Sequence, residues 1–285
     1  MERLVEKTKC LGWDKGLINI EVESQAEERA KLLLVGKILS AKAFSRVVVK
    51  EIIAKAWNTI SEVEVATVDR NVFLFTFNHE VDVRRVWDRR PWSFKGVHLI
   101  LKKYEPDWSF NEVDFTETDL WVQVHELPVN RQNEVNLRRI GRILGKVIEV
   151  DLVGNGVGFG KRYVWVRVSM EVNRPLVIGF PMYRKHLLAL WILFKFEKLG
   201  NFCYGCGCLA HEIKSCSDDK VIQMLKEKVT EGIFGTWLHV ENNEFQPGIN
   251  LEELQRSDIV ECGMRERVEP MHGQDKGEGS SNSRN

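Results

Sequence analysis

Hydrophobic positions along this chain alternate between a helical period and a strand period. Lys42 to Trp57 carries Phe44, Val47, Val48, Ile52, Ala56 and Trp57 at helical spacing, which predicts an amphipathic helix. Val63 to Val68 and Val72 to Phe77 are strand-like runs separated by Asp69, Arg70 and Asn71, so a hairpin is expected. A helix over about Val81 to Asp88 follows and stops before Pro91, because proline disfavours helical backbone in the residue ahead of it. Val97 to Leu101 supplies a further strand, and Lys31 to Leu39 fits either a first strand or a short helix.

The order over 31–105 is thus β-α-β-β-α-β, the arrangement of ferredoxin-like and RRM-like domains. Phe73, Phe75 and Phe77 share one strand face, where exposed rings would stack bases. Val72 and Leu74 make the opposite face apolar too, so buried packing of the phenylalanines is the stronger expectation. Residues 105 to 119 are polar and acidic, as in a connection between modules. A second α+β unit over 119–199 then begins in the same way: strand Leu120–Leu127, helix Asn133–Leu144, strand Val147–Leu152, a glycine-rich turn Gly154–Gly160 and strand Tyr163–Val168. Leu190–Phe196 is its last strand, with no clear second helix before it, which suggests an internal structural echo. The expected fold class is α+β, with an N-terminal extension over 1–30 and a Cys- and His-bearing loop over 200–217. A partly helical extension over 218–262 follows, in which Phe234–Glu241 is an apolar patch able to dock back, and then a tail over 263–285 too polar to fold.

Composition narrows the class. The 285 residues are 44% apolar with nine tryptophans, enough for real cores. The longest apolar stretch, Leu187 to Phe194, is strand-sized and far from the roughly eighteen residues of a membrane span. The N-terminus lacks a secretory signal pattern. Four of six cysteines lie within 203–216, while Cys10 and Cys262 stand apart, a distribution that points to metal binding in a reducing nuclear or cytoplasmic compartment. Net charge is zero, but residues 217–285 hold fourteen acids against eight bases, so the part ending at Cys216 carries about +6.

That cysteine cluster reads C-x2-C-x4-H-x4-C: Cys203, Cys206, His211 and Cys216. Three thiolates and an imidazole are a ligand mixture that one zinc ion takes in a closed tetrahedral site. So small a loop has little core, and metal binding supplies most of its folding energy. Three thiolates leave the zinc site with a formal charge near −1, so attraction for a polyanion must come from neighbouring side chains. Tyr204 is placed to stack on a base, worth about 1 to 3 kcal/mol in single-strand sites. Lys195, Lys198 and Lys214 are candidate phosphate contacts, although Glu197 and Glu212 lie among them. Arg138 and Arg142, four apart on one helix, form an auxiliary basic face with Arg131, Arg139 and Lys146 near it, extended by Lys161, Arg162 and Arg167.

The lead-in Trp191 to Gly207, with Phe196-Glu197-Lys198-Leu199 ahead of Phe202-Cys203-Tyr204-Gly205-Cys206, resembles that of plant retrotransposon-derived, LINE-like zinc-knuckle proteins. Those proteins carry an N-terminal domain of unknown function 4283 and a plant-type CCHC knuckle. Leu34-Val-Gly-Lys37, Asn71–Phe77, Pro91–Phe94, Trp121–Pro128, Ile140–Gly145 and Phe234–Leu238 extend the resemblance over residues 30 to 240. It implies zinc at Cys203, Cys206, His211 and Cys216, and single-stranded RNA or DNA as partner. Ala210 replaces the family's usual glycine before the ligand histidine, where a Cβ strains the backbone. Gly200 replaces a proline, and Cys208 is an additional thiol able to compete for zinc.

An enzyme is not expected. H-E-x-x-H, G-x-S-x-G and Walker motifs are absent, and the Gly154–Gly160 loop joins two strands where a dinucleotide fingerprint opens a helix. The six other histidines form no constellation. The expected function is zinc-dependent, sequence-tolerant binding of single-stranded nucleic acid, with no membrane or small-molecule partner. The alternative is a protein-interaction or vestigial structural module in which zinc only stabilises the fold.

Overall fold

A computed structural model describes residues 20–21, 25–94, 96–151, 163–227 and 234–241. Most of the N-terminal extension, the glycine-rich turn with Lys161 and Arg162, and the tail lie outside the described residues. The described residues divide into two compact units, one drawn from within 1–36, 45–88 and 102–113 and the other from within 37–44, 89–101 and 114–285. The architecture is α+β, with two separate five-stranded sheets.

In the first sheet β1 (Leu33–Ile38) resolves the ambiguous first run as a strand, preceded by the short α1 (Ala26–Ala30). Helix α2 (Arg46–Trp57) starts where Ser45 accepts a hydrogen bond from Val48 N and ends at Asn58 in the left-handed region, φ 46. The hairpin of β2 (Glu64–Asp69) and β3 (Val72–Thr76) turns through Asn71, φ 59, a residue that tolerates this conformation. Then come α3 (Glu80–Asp88), β4 (Trp92–Phe94) and β5 (Val97–Lys103), giving the order β2-β3-β1-β5-β4. Phe73, Phe75 and Phe77 are buried, and Trp57 meets Phe75 edge-on at 5.0 Å and stacks on Phe77 at 5.7 Å. The three rings serve the core and offer no base a surface.

The second sheet comprises β6 (Glu117–His125), β7 (Lys146–Asp151), β8 (Tyr163–Glu171), β9 (Gly179–Met182) and β10 (Leu190–Phe196), ordered β7-β8-β6-β10-β9. Shifted by five strand numbers, this is the order of the first sheet, so the internal echo extends to topology. Helix α4 (Glu134–Leu144) is capped by Asn133, which accepts from Asn136 N, and buries Leu137, Ile140, Gly141 and Leu144. Gly141 permits this packing: a Cβ there would sit 2.7 Å from Val147 and 2.8 Å from Val166. No second helix precedes β10 among the described residues; β8 is followed directly by the edge strand β9, with Pro181, the counterpart of β4. Proline suits an edge because it lacks the N–H a central strand needs.

The segment after the loop folds back onto this unit. Helix α5 (Asp219–Lys226) is capped by Asp218. Leu238 is fully buried, Phe234 nearly so, and Val240 N donates to Phe196 O at 3.2 Å beside β10.

Candidate metal centre

The loop begins where β10 ends. Phe202 and Leu209 form an isolated antiparallel bridge, Cys203 N donates to Cys208 O at 2.9 Å, and Gly207 N donates to Cys203 O at 2.8 Å. This tight turn aims Cys203 and Cys206 inward. A short turn over Ile213–Ser215 then brings back Cys216, whose N donates to Ile213 O at 3.3 Å.

The ligand atoms of Cys203, Cys206, His211 and Cys216 all lie within 4.8 Å of one another. Zinc bonds of about 2.3 Å to sulfur and 2.0–2.1 Å to nitrogen at tetrahedral angles put a thiolate and an imidazole nitrogen roughly 3.5 Å apart, and two thiolates roughly 3.8 Å apart. Cys206 Sγ and His211 Nε2 are 3.4 Å apart. The set therefore fits a tetrahedral ion with about one ångström of contraction at its widest pair. Without metal, burial pushes the Cys203 and Cys216 thiols above their ordinary range, with Cys206 adding to it at Cys203 and Cys203 adding to it at Cys216. Metal binding must displace those protons.

Two further cysteine-loop residues have decided roles. The Cys208 thiol, pushed up to about 12 by burial and then by Cys206, points at Asn173 O, 3.4 Å away, and stands outside the four-ligand group. Ala210 takes φ 78, the left-handed conformation for which glycine is the natural residue.

The loop is built into the unit that carries it. Leu176 N donates to Gly207 O at 2.9 Å. A Cβ on Gly205 would lie 2.5 Å from Val221 of α5, and one on Gly207, φ 74, would lie 2.3 Å from the Phe234 ring. Elements on both sides of the loop thus close over its glycines.

The candidate contact residues scatter in role. Tyr204 is 39% exposed, its ring edge-on to Phe202 at 4.9 Å, so one side is braced and the other open. Lys214 is exposed on the turn between His211 and Cys216. Lys198 is committed to protein: its Nζ donates to Arg89 O at 3.1 Å and sits 5.8 Å over the Trp92 ring. Lys195 is buried, which lowers its pKa. Arg167 pairs with Asp119, which Arg90 also meets at 3.2 Å, and so leaves the basic surface.

Strand register places Arg142. Strand β6 runs antiparallel to β8 and β10, with Glu117 opposite Glu171 and Val122 opposite Phe196. The carboxyl ends of β8 and β10 therefore meet at the amino end of β6. Lys146, two residues past α4, pairs with Ser169 of β8, so the last turn of α4 lies at this same end, as does the loop. Arg142, Lys146 and Arg174 line a cleft of about 250 Å³ there, with Glu117 and Glu171. Arg138 is exposed one turn back and bonds Glu134 at 2.8 Å.

Sequence reasoning missed an aromatic group on the face of this sheet away from α4. Trp121, Tyr163 and Trp165 are half-buried there, and Glu197 fixes Trp165 by accepting its Nε1–H at 2.6 Å. Strict alternation in Tyr163-Val-Trp-Val-Arg-Val was the available signal.

Known proteins match at both ends of this architecture. The family described as Domain of unknown function (DUF4283) matches residues 26–112, and the family described as Zinc knuckle matches residues 188–218. A match to DUF4283 thus precedes a match to a zinc knuckle along the chain. The knuckle match encloses all four clustered ligands. The uncharacterized protein At4g02000 of Arabidopsis thaliana is 24% identical over 136 residues, 48% of this chain and 42% of that protein. The chain thus spans about two fifths of the relative's length. A solved structure, the RNA binding domain of Hrp1 in complex with RNA, aligns at 11% identity over 49% of this chain and 81% of that one, with a TM-score of 0.24, too low to transfer fold or ligand. No helix among the described residues is long and apolar enough to cross a membrane.

Proposed function

We propose that the chain binds single-stranded RNA or DNA with little sequence preference, and that one zinc ion held by Cys203, Cys206, His211 and Cys216 is required for it. The carrying observation is the convergence of those four ligand atoms within 4.8 Å beside the braced, open ring of Tyr204. Zinc supplies the loop's shape. Tyr204 supplies a stacking surface, and Lys214, Arg142 and Arg138 supply phosphate contacts. All four coordination positions are taken by protein, which supports a structural ion and no catalytic role. Fluorescence anisotropy of mixed single-stranded oligonucleotides, at two salt concentrations with and without a chelator, tests it. Salt-dependent binding lost on chelation is expected; zinc-loaded protein that ignores both nucleic acids sinks the proposal.

A second reading is favoured by the packing of Gly205 and Gly207 against Val221 and Phe234. On that reading zinc only holds the unit together and the partner is a protein. A Cys206→Ser variant that loses thermal stability, with neither form binding oligonucleotide, supports it. The sequence resemblance further supports a retrotransposon-derived plant origin and action in the nucleus or cytoplasm. Reverse-transcriptase remnants beside the gene, and imaging of the tagged chain, test these two points.

A further inference from the structure

The turn between β9 and β10 lies at the end of the second sheet opposite the knuckle, since β10 runs from this turn to the knuckle. It belongs to the longest acid-free stretch of the chain, the 25 residues from 172 to 196, which hold four Lys or Arg. At the tip Tyr183 is 76% exposed and Leu188 86% exposed, flanking Arg184, Lys185 and His186. The turn is nonetheless held in shape: Arg184 Nε donates to Leu188 O at 2.7 Å, and Arg131 Nη1 donates to Tyr183 O at 3.2 Å.

The Arg131 contact joins the turn to the approach of α4. From there α4 runs eleven residues, about 16 Å, toward the knuckle end, with Arg138, Arg139 and Arg142 exposed along it. Its single acid, Glu134, is neutralised by Arg138. Cations thus recur from the turn, along the helix, to the knuckle, with an exposed tyrosine at each extremity, Tyr183 and Tyr204. Ring and cation in alternation suit a flexible single strand, whose bases stack and whose phosphates need neutralising.

Resting on the reading of the knuckle given above, we infer that the β9–β10 turn is a second contact for the same single strand, Tyr183 stacking a base and Lys185 meeting a phosphate. A strand long enough to reach both ends is held twice, and the second contact forms at high effective concentration.

The test uses the full zinc-loaded chain and labelled pyrimidine strands of about 4 and about 16 nucleotides, bracketing the usual site sizes. Wild type gains affinity with length. Tyr183→Ala lowers affinity for the long strand by at least about 5-fold, and Lys185→Glu flattens its salt slope by about 0.7 or more. Neither changes zinc retention or short-strand affinity, which falls with Tyr204→Ala. Long-strand binding untouched in both variants overturns the inference. So does loss of binding to phosphatidylserine vesicles in Tyr183→Ala with oligonucleotide affinity unchanged, which would assign the turn to a lipid surface. A wild type that binds the short strand but gains nothing from length defeats this inference alone. One that binds neither strand defeats the knuckle reading as well.

Discussion

Gly207→Ala is the sharpest probe of how the knuckle is joined to its unit. Gly207 sits at φ 74, and a Cβ there would lie 2.3 Å from Cζ and 2.5 Å from Cε1 of Phe234. Left-handed backbone costs a residue with a Cβ about 1–2 kcal/mol. Phe234 is only 7% exposed, so its ring must shift within packed surroundings, an overpacking cost of about 1–3 kcal/mol. The sum, about 3 kcal/mol, falls on the metal-bound form, because the loop takes this shape when zinc closes it. Zinc affinity should therefore drop by about 100-fold, measured by competition with a chromophoric chelator, and the zinc-loaded melting temperature should fall with it. Phe234→Ala and the double variant complete a cycle: the clash component, but not the backbone component, vanishes when the ring is gone. A Gly207→Ala protein that binds zinc within about 3-fold of wild type, where 1.4 kcal/mol is tenfold, refutes the claim that Phe234 closes over the loop.

Other outcomes follow from single residues. Ala210→Gly removes the strain at φ 78, and relief of about 1–2 kcal/mol is partly offset by the added freedom of the unfolded chain, so chelator competition should show zinc affinity equal to or a few-fold above wild type. Burial lowers the His98 pKa to about 4, and its Nε2 lies 2.7 Å from Thr118 Oγ1. The unfolded chain then binds an extra proton between about pH 6.5 and 4, so stability is present above that window and about 3 kcal/mol is lost as pH falls through it. Denaturant titrations across this range should show His98→Phe flattening the loss. Because burial raises the Cys203 and Cys216 thiols, zinc affinity should climb steeply with pH from 6 to 8, up to about tenfold per unit for each displaced thiol proton; a flat profile would mean the ligands are already thiolates. Tyr204→Ala should weaken short-strand binding at least about 5-fold while zinc affinity holds.

Regular elements were legible wherever periodicity was strong. Helix α4 and strands β8 and β10 lie where their patterns predict, because each presents one clean apolar face to a core. Strands β4 and β9 were not legible: three and four residues are too short for a period, and Pro181 argues against a strand until an edge position makes it tolerable. The four clustered ligands were legible because a local loop holds them at fixed spacing. Lys198 and Arg167, read as candidate phosphate contacts, have protein partners that are remote in sequence: the Arg89 carbonyl lies 109 residues from Lys198, and the Asp119 carboxylate 48 from Arg167. Charge in a sequence shows a cation but not its counter-group. The strain at Ala210, by contrast, was readable from one substitution in the motif, and φ 78 confirms it.

The account rests on zinc shaping a surface that holds a single strand. The most direct measurement is binding of one labelled single strand of about 16 nucleotides to the full chain, titrated with salt, as zinc-loaded wild type and as Cys206→Ser. The account predicts salt-sensitive binding by wild type and its loss in Cys206→Ser. Equal binding by both proteins, or none by either, would contradict it.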